Sequence, residues 1–295
     1  MRFFGKIRGT EKDYYVAEGE VEGGGDEGEE EKPEGQEASG EGVNKYTYWV
    51  SHSSFSEWTK LPDLSPKDIQ ASRDIKVLFT GDLNRTIYTN PFFFGLEKNY
   101  LRAQIARISH STTLAPHGLF RFQEESTREI EDNTPEEGDI VLPTTKQMSN
   151  ANMWVHHSVS ILNCCRTTHI PKEPEEGDER DPEEIMKEVE AADPFEPRLK
   201  SICNDRQVLI SKNQKIQPWV VRLMGDSTEY LNAQGKPCCN GTVVVRSLQW
   251  PGSFNFYNNG RYFNVYVGNG HKYEEVSYFP LHPPSVNEDP EEYDI

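Results

Sequence analysis

Thr242-Val243-Val244-Val245-Arg246-Ser247-Leu248 is followed by Phe254-Asn255-Phe256-Tyr257, then Asn258-Asn259-Gly260, then Tyr262-Phe263-Asn264-Val265-Tyr266-Val267. β-Branched and aromatic side chains fit a pleated, half-buried surface, so each of the three apolar runs reads as a strand. Asn and Gly tolerate positive φ, and Asn-Asn-Gly between two such runs spells a hairpin turn. Antiparallel pairing therefore sets the expected fold: mainly β (α+β), with sheets and hairpins, few short helices and acidic disordered loops between them.

Working outward, Tyr46–Val50 and Ile75–Thr80 read as further strands, the second ending at the Gly81-Asp82 turn. Leu101–Ile108 fits two templates, since Leu101, Ala103 and Ile105 alternate while Leu101, Ile105 and Ile108 keep helical spacing. The turn Pro116-His117-Gly118 and the run Leu119–Phe122 that follow it favour a second hairpin. Three helices are expected. Asn152–Cys164 is the best of them, with Trp154, Val155, Ile161 and Leu162 on one stripe. Gln70–Ile75 follows Ser65-Pro66, and Pro182–Ala192 is an acidic piece built through Ile185, Met186 and Val189. Nineteen prolines and 22 glycines suit many short elements joined by turns, and no repeat of fixed period is visible.

The chain has 295 residues, 49 acidic against 31 basic, for a net charge of -18, and only 35% of its residues are apolar. Its mean hydropathy is -0.76. No run of about 18 apolar residues occurs, which excludes a membrane-spanning helix. Met1–Lys6 lacks the apolar stretch of a secretory signal, and five cysteines are too few for a disulfide scaffold. A reducing compartment, the cytosol or a structure continuous with it, is the expected setting. The acidity is clustered: Glu18–Gly42 carries -10, Glu124–Asp139 -7, Glu173–Glu196 -10 and Glu288–Ile295 -5. These segments total -32, so the remainder of the chain carries +14. A basic body threaded by acidic loops is expected. Glu18–Gly42 and Lys172–Asp181 read as solvated insertions, because Gly- and Glu-rich chain cannot bury enough apolar surface to offset its ordering entropy.

Motifs of catalysis are weak. No Gly-x-Ser-x-Gly elbow occurs, and Gly268-Asn269-Gly270-His271-Lys272 lacks the spacing and the Ser/Thr of a phosphate loop. Cys164-Cys165 and Cys238-Cys239 are adjacent pairs whose side chains diverge. A zinc site built from the first pair with His156, His157 and His169 is a weaker reading than buried thiols. The sequons at Asn84 and Asn240 read as chance. No catalytic, cofactor-binding or metal-binding residue is assigned, and no cofactor is expected. Aromatics sit in apolar contexts and read as core. Asn99–Arg107 and the basic, aromatic-rich body nevertheless keep a nucleic-acid-binding module as the alternative.

Taken together, several stretches resemble one family. They are Phe4-Gly5-Lys6-Ile7 with Gly9-Thr10-Glu11, Tyr15-Val16-Ala17-Glu18, Asn44-Lys45-Tyr46, Trp58–Pro62, Phe79–Leu83, Asn99–Ile108, Trp154–His157, and Arg246–Gly252 through Tyr266–Tyr273. In order and approximate spacing, from Phe4 to about Pro284, the sequence resembles the radial spoke head proteins of the 4/6 type. Radial spoke head protein 9 is a nearby alternative in the last block, and the Glu-rich insertions favour the 4/6 type. Many members of that family carry a long region before the Phe-Gly-Lys-Ile motif, at which this chain starts.

The resemblance implies a non-enzymatic building block of the ciliary or flagellar axoneme, in the spoke head that faces the central pair of microtubules. It implies partners among other spoke head proteins: a 4/6-type paralogue as homo- or heterodimer, radial spoke head protein 9 and MORN-repeat head proteins. It implies transient contact with central pair projections, and neither nucleic acid nor membrane. The expected layout is a first strand region at 1–17, an acidic insertion at 18–43, and a β-rich core at 44–171. A second acidic insertion at 172–198, more core at 199–284 and an acidic tail at 285–295 complete it.

Overall fold

The computed structural model describes residues 1–20, 33, 35–53, 55–124, 126, 128–135, 142–172, 181–211 and 214–273. The chain begins with strands β1 (Arg2–Ile7), β2 (Tyr14–Glu20), β3 (Tyr46–Ser51) and β4 (Thr59–Lys60), then helices α1 (Pro66–Asp74) and α2 (Glu97–Thr112). Short strands β5 (Leu114–Pro116), β6 (Phe120–Phe122), β7 (Ile130–Asp132) and β8 (Trp154–His156) lead to α3 (Pro182–Ala192). The rest is β: β9 (Val208–Ser211), β10 (Gln214–Ile216), β11 (Trp219–Met224), β12 (Glu229–Leu231), β13 (Pro237–Cys239), β14 (Thr242–Ser247), β15 (Ser253–Asn258) and β16 (Arg261–Gly268).

One eight-stranded sheet, in the order β11-β14-β15-β16-β1-β2-β3-β4, dominates, with β5–β8, β6–β7, β9–β10 and β12–β13 as separate two-stranded ribbons. The fold is mainly β, as its sequence implies. The β15–β16 hairpin turns on Asn259 and Gly260, at φ 47 and 86, so the Asn-Gly pair supplies both positive-φ positions. Within the sheet β1 runs parallel to β16 and antiparallel to β2. The two ends of the described chain therefore share the middle of the sheet. Gly5 is what allows this approach, because a β-carbon there would lie 2.0 Å from the Tyr266 carbonyl oxygen.

Alternation puts Ile7, Tyr14, Val16, Tyr48, Val50, Val243, Val245, Tyr257 and Tyr266 on the inner face, all buried. α2 lies against that face. Tyr100, Leu101, Ile105 and Ile108 join the cluster with Ile7, Val16 and Val50. Ala103 and Ala106 point the other way, into a cluster with Leu64 and Ile69 that ties α2 to α1. A further cluster of Leu114, Met148, Trp154 and Ile202 covers Val243, Val245 and Tyr257. Among the inward positions Asn255 is polar: it donates to Thr112 O at 3.2 Å and accepts from Leu114 N at 3.3 Å. It satisfies the backbone where α2 ends, which explains an amide among apolar neighbours.

Several expectations are overturned. Leu101–Ile108 is helical within α2, not half of a hairpin. That helix carries good helix formers and begins where Asn99 Oδ1 accepts from Leu96 N at 3.3 Å. Because α2 is covered on two sides it has no long polar face to reveal its period. Asn152–Cys164 is not helical. A single 3-10 turn, Ala151–Met153, runs into β8, which pairs with β5 through Val155↔Ala115. Ile75–Thr80 forms no strand. Its carbonyls at Phe79 and Thr80 are taken by Thr10, Glu11 and Lys12 N–H groups instead. The Pro116–Gly118 turn is present, but the strands flanking it belong to different ribbons.

The helix expected after Ser65-Pro66 forms with a capping box between Ser65 and Asp68, and α3 spans its expected range. The solvated reading of Glu18–Gly42 fails at its ends, because Glu18 lies buried in β2 and Glu37 is also buried. Residues 21–32 and 34 between them, residues 173–180 of the second insertion and residues 274–295 lie outside the described residues.

Gly5→Ala should lower the unfolding free energy by about 2–4 kcal/mol, since it forces β1 off β16. Thermal melts of the two purified proteins measure this. An unchanged melting temperature would mean that the parallel pairing is not required.

Candidate interaction surface

Buried polar groups fix the segments that frame the sheet. The Glu97 carboxyl, at the start of α2, accepts from Tyr14 OH at 2.9 Å, Thr80 N at 2.8 Å, Thr80 Oγ1 at 2.6 Å and Gly81 N at 2.9 Å. An acidic side chain in the first turn also complements the helix dipole. Glu37 accepts from Val43 N at 2.8 Å, Thr167 N at 3.0 Å and Thr167 Oγ1 at 2.7 Å, joining two remote segments. Glu18 accepts from Arg2 Nε at 2.8 Å and Tyr48 OH at 2.9 Å.

Arg102 is 1% exposed. It donates to Val43 O at 3.0 Å and Tyr46 O at 3.2 Å, and it stacks 4.6 Å from the Tyr48 ring centroid. Burial pulls its guanidinium below the ordinary arginine range, opposed by nearby Tyr48, Asp63 and Glu18. Burial likewise raises the Tyr266 phenol to about 12. Both shifts come first from loss of water around packed groups.

The residues singled out for chemistry do not converge. Gly268–Lys272 is structural: Gly268 O accepts from Arg8 N, Gly270 N donates to Tyr266 OH at 2.8 Å, and His271 Nε2 lies 2.6 Å from Val77 O. All five cysteines are unbridged thiols, with Cys165 and Cys239 buried. Cys165 Sγ donates to Gln70 Oε1 at 3.3 Å. His169 Nε2 meets Asp193 O at 2.8 Å. His156 Nε2 sits 2.9 Å from Asp205, which also accepts from Trp219 Nε1 at 2.6 Å. Among the described residues, no group of three or more His, Cys, Asp or Glu is placed to hold a metal.

The outer face of the sheet is different. Phe254 and Phe256 on β15 alternate with the inward Asn255 and Tyr257. Phe256 is paired across strands with Phe263, their rings stacked 4.8 Å apart at 18°, and Phe254 is paired with Val265. Phe263 is 60% exposed and Val267 is 37% exposed. Phe3 on β1 extends this aromatic stripe at 53% exposure. Arg222 and Arg246, both exposed, border it on β11 and β14. The reading of these aromatics as core is therefore corrected. The strand period of two was itself the missed signal, since it cannot bury Phe254 and Tyr257 on the same face. A contiguous apolar patch with a cationic border has the composition of a protein–protein interface. A second exposed apolar feature is the loop at Tyr88–Phe94, where Phe92 and Phe94 pack edge to face at 4.8 Å while Phe93 is buried beneath them.

Comparison with known proteins places this architecture. Residues 30–295 match the model of the radial spokehead-like protein family. The chain is 32% identical to radial spoke head protein 6 homolog A of Mus musculus, over 98% of this chain and 46% of that protein. It is 34% identical to radial spoke head protein 4 homolog A of Homo sapiens, over 97% and 44%. It is 33% identical to flagellar radial spoke protein 4 of Chlamydomonas reinhardtii, over 97% and 60%. The chain thus spans about half the length of the curated relatives it matches.

The packing makes a prediction about acid stability. Burial, followed by the charge of Arg198, depresses His157 to about 4. Between about pH 6.5 and 4 the unfolded chain takes up the proton and the folded one does not, so stability is lost as pH falls through that window. His157→Phe should remove on the order of 2 kcal/mol of the stability loss between pH 7 and 4.5, read from urea melts at the two pH values. An identical pH dependence in the variant would show that His157 is not held neutral by the fold.

Proposed function

This chain belongs to the radial spokehead-like protein family, and from that premise we propose that it is a structural component of the axonemal radial spoke head in cilia or flagella. It works there through packed faces and carries out no catalysis. The observation that carries this reading is the stacked aromatic face of the eight-stranded sheet, centred on Phe256 and Phe263, beside a polar network that uses its carboxyls to brace loops. Its partners in this reading are other spoke head proteins: a 4/6-type paralogue, as homo- or heterodimer, radial spoke head protein 9 and MORN-repeat head proteins. Central pair projections are touched transiently.

The nucleic-acid alternative loses its main motif. Asn99–Arg107 lies in α2, where Arg102 is buried and Arg107 donates to Ser72 O and Gln104 Oε1. The acidic segments suit a surface that must release its partner, because like charges repel within a Debye length of ~8 Å at physiological salt.

Phe263→Glu should leave the melting temperature within about 2 °C, since Phe263 is already exposed. It should reduce incorporation into spoke heads at least about tenfold, in line with loss of an aromatic anchor, measured by co-purification from ciliated cells with cross-linking to name the neighbours. Normal incorporation would remove the sheet face from the assembly. Separately, neutralising the carboxylates of Glu173–Glu196 should prolong contact with the central pair and alter the beat waveform. An unchanged waveform counts against a repulsive role for that segment.

A further inference from the structure

A cleft of about 310 Å³ opens where α1, α2 and the 156–161 segment meet Glu196–Lys200, Gln249–Trp250 and Lys272. Five cationic side chains line it: Arg73, Arg107, Lys200, Arg206 and Lys272. Its two carboxyls are already engaged. Glu196 accepts from Lys200 at 2.7 Å, and Asp205 takes the Trp219 indole and meets His156. Arg73 spends its guanidinium on the neutral carbonyls of Leu162 and Asn163, at 2.8 and 3.1 Å, so its charge is not cancelled there.

The floor is aromatic. Trp250, only 2% exposed, packs under the Arg107 guanidinium at 5.3 Å from its ring centroid, and its Nε1 is buried with no hydrogen-bond partner. A lining that mixes cationic side chains with the indoles of Trp219 and Trp250 suits a peptide that combines carboxylates with an aromatic ring.

We propose that this cleft is the docking site of the acidic stretch Glu288–Ile295 of the same chain. That stretch is Glu288-Asp289-Pro290-Glu291-Glu292-Tyr293-Asp294-Ile295, five carboxylates around one tyrosine. The described chain arrives at the lip of the cleft, because Tyr273 N donates to the carbonyl of Gln249, a lining residue, at 2.6 Å. The roughly 15 residues from there to Glu288 can reach up to ~50 Å when extended, far enough to return. Tethering raises the effective concentration of the stretch at the cleft to about the millimolar range, which favours this occupant over a free acidic segment of another molecule. Salt weakens such a contact.

Zero-length carbodiimide cross-linking of the full 295-residue chain, mixed as unlabelled and ¹⁵N-labelled protein, tests this. The expected result is Lys200 joined to Glu288, Asp289, Glu291 or Glu292 within one isotopic chain. The yield should fall at least about fivefold between ~20 mM and ~0.5 M salt, where the Debye length drops several-fold. It should fall similarly in Arg206→Glu and persist in Arg206→Lys. Arg206 is exposed, and the wild-type salt series stands by itself if the charge reversal disturbs folding. Absence of Lys200 cross-links to residues 288–295, cross-links only between differently labelled chains, or a yield indifferent to salt would each overturn the proposal.

Discussion

Burial of α2 on two sides is the constraint on which the rest of this structure depends. Leu101, Ile105 and Ile108 meet the sheet, while Ala103 and Ala106 meet α1 and the Leu64 region. Each large side chain buried this way contributes roughly 1.5–3 kcal/mol. A helix in that position brings charged side chains inside, and the chain supplies partners from far away in sequence. Backbone carbonyls at Val43 and Tyr46 receive Arg102, and the Tyr14 hydroxyl with the Thr80–Gly81 backbone meets Glu97. The helix thereby organises the loops as well as the core.

The same arrangement makes the sheet depend on contacts between strands far apart in sequence. β1 and β16 come from opposite ends of the described chain yet pair in the middle of the sheet, and Gly5 permits their approach. Contacts of such sequence separation are entropically costly to close, so slow folding is the physical expectation. Once closed, the inner face is locked by α2, and the outer face presents Phe254, Phe256 and Phe263 at fixed spacing. Such a surface suits the proposed role, because pre-organised aromatic anchors lose little entropy on binding.

The parts of this fold that were legible in the sequence are those governed by local rules. The Asn259-Gly260 turn, the valine strand β14, the helix after Ser65-Pro66 and the acidic helix α3 all follow from propensity and turn chemistry over a few residues. The parts that were not legible are decided by tertiary partners. The Asn99–Ile108 segment shows no polar face because both sides are covered, and Ile75–Thr80 has strand-like composition but gives its carbonyls to a loop. Glu18 and Glu37 look like members of acidic runs, and only remote donors on Arg2, Tyr48 and Thr167 reveal that they are buried. The aromatic surface was half legible: alternation was visible in Phe254–Tyr257, while the identity of the solvent side required the whole sheet. Charge clustering is visible in the sequence, but the cationic cleft gathers residues from Arg73 to Lys272 that no window could join.

Hydrogen exchange followed by mass spectrometry addresses the central claim most directly. If α2 is the buried keystone, amides of Tyr100–Ile108 exchange only through global unfolding, at the same slow rate as β14–β16, and all accelerate together in mild denaturant. Exchange of the α2 amides within minutes, while the sheet stays protected, would contradict the account.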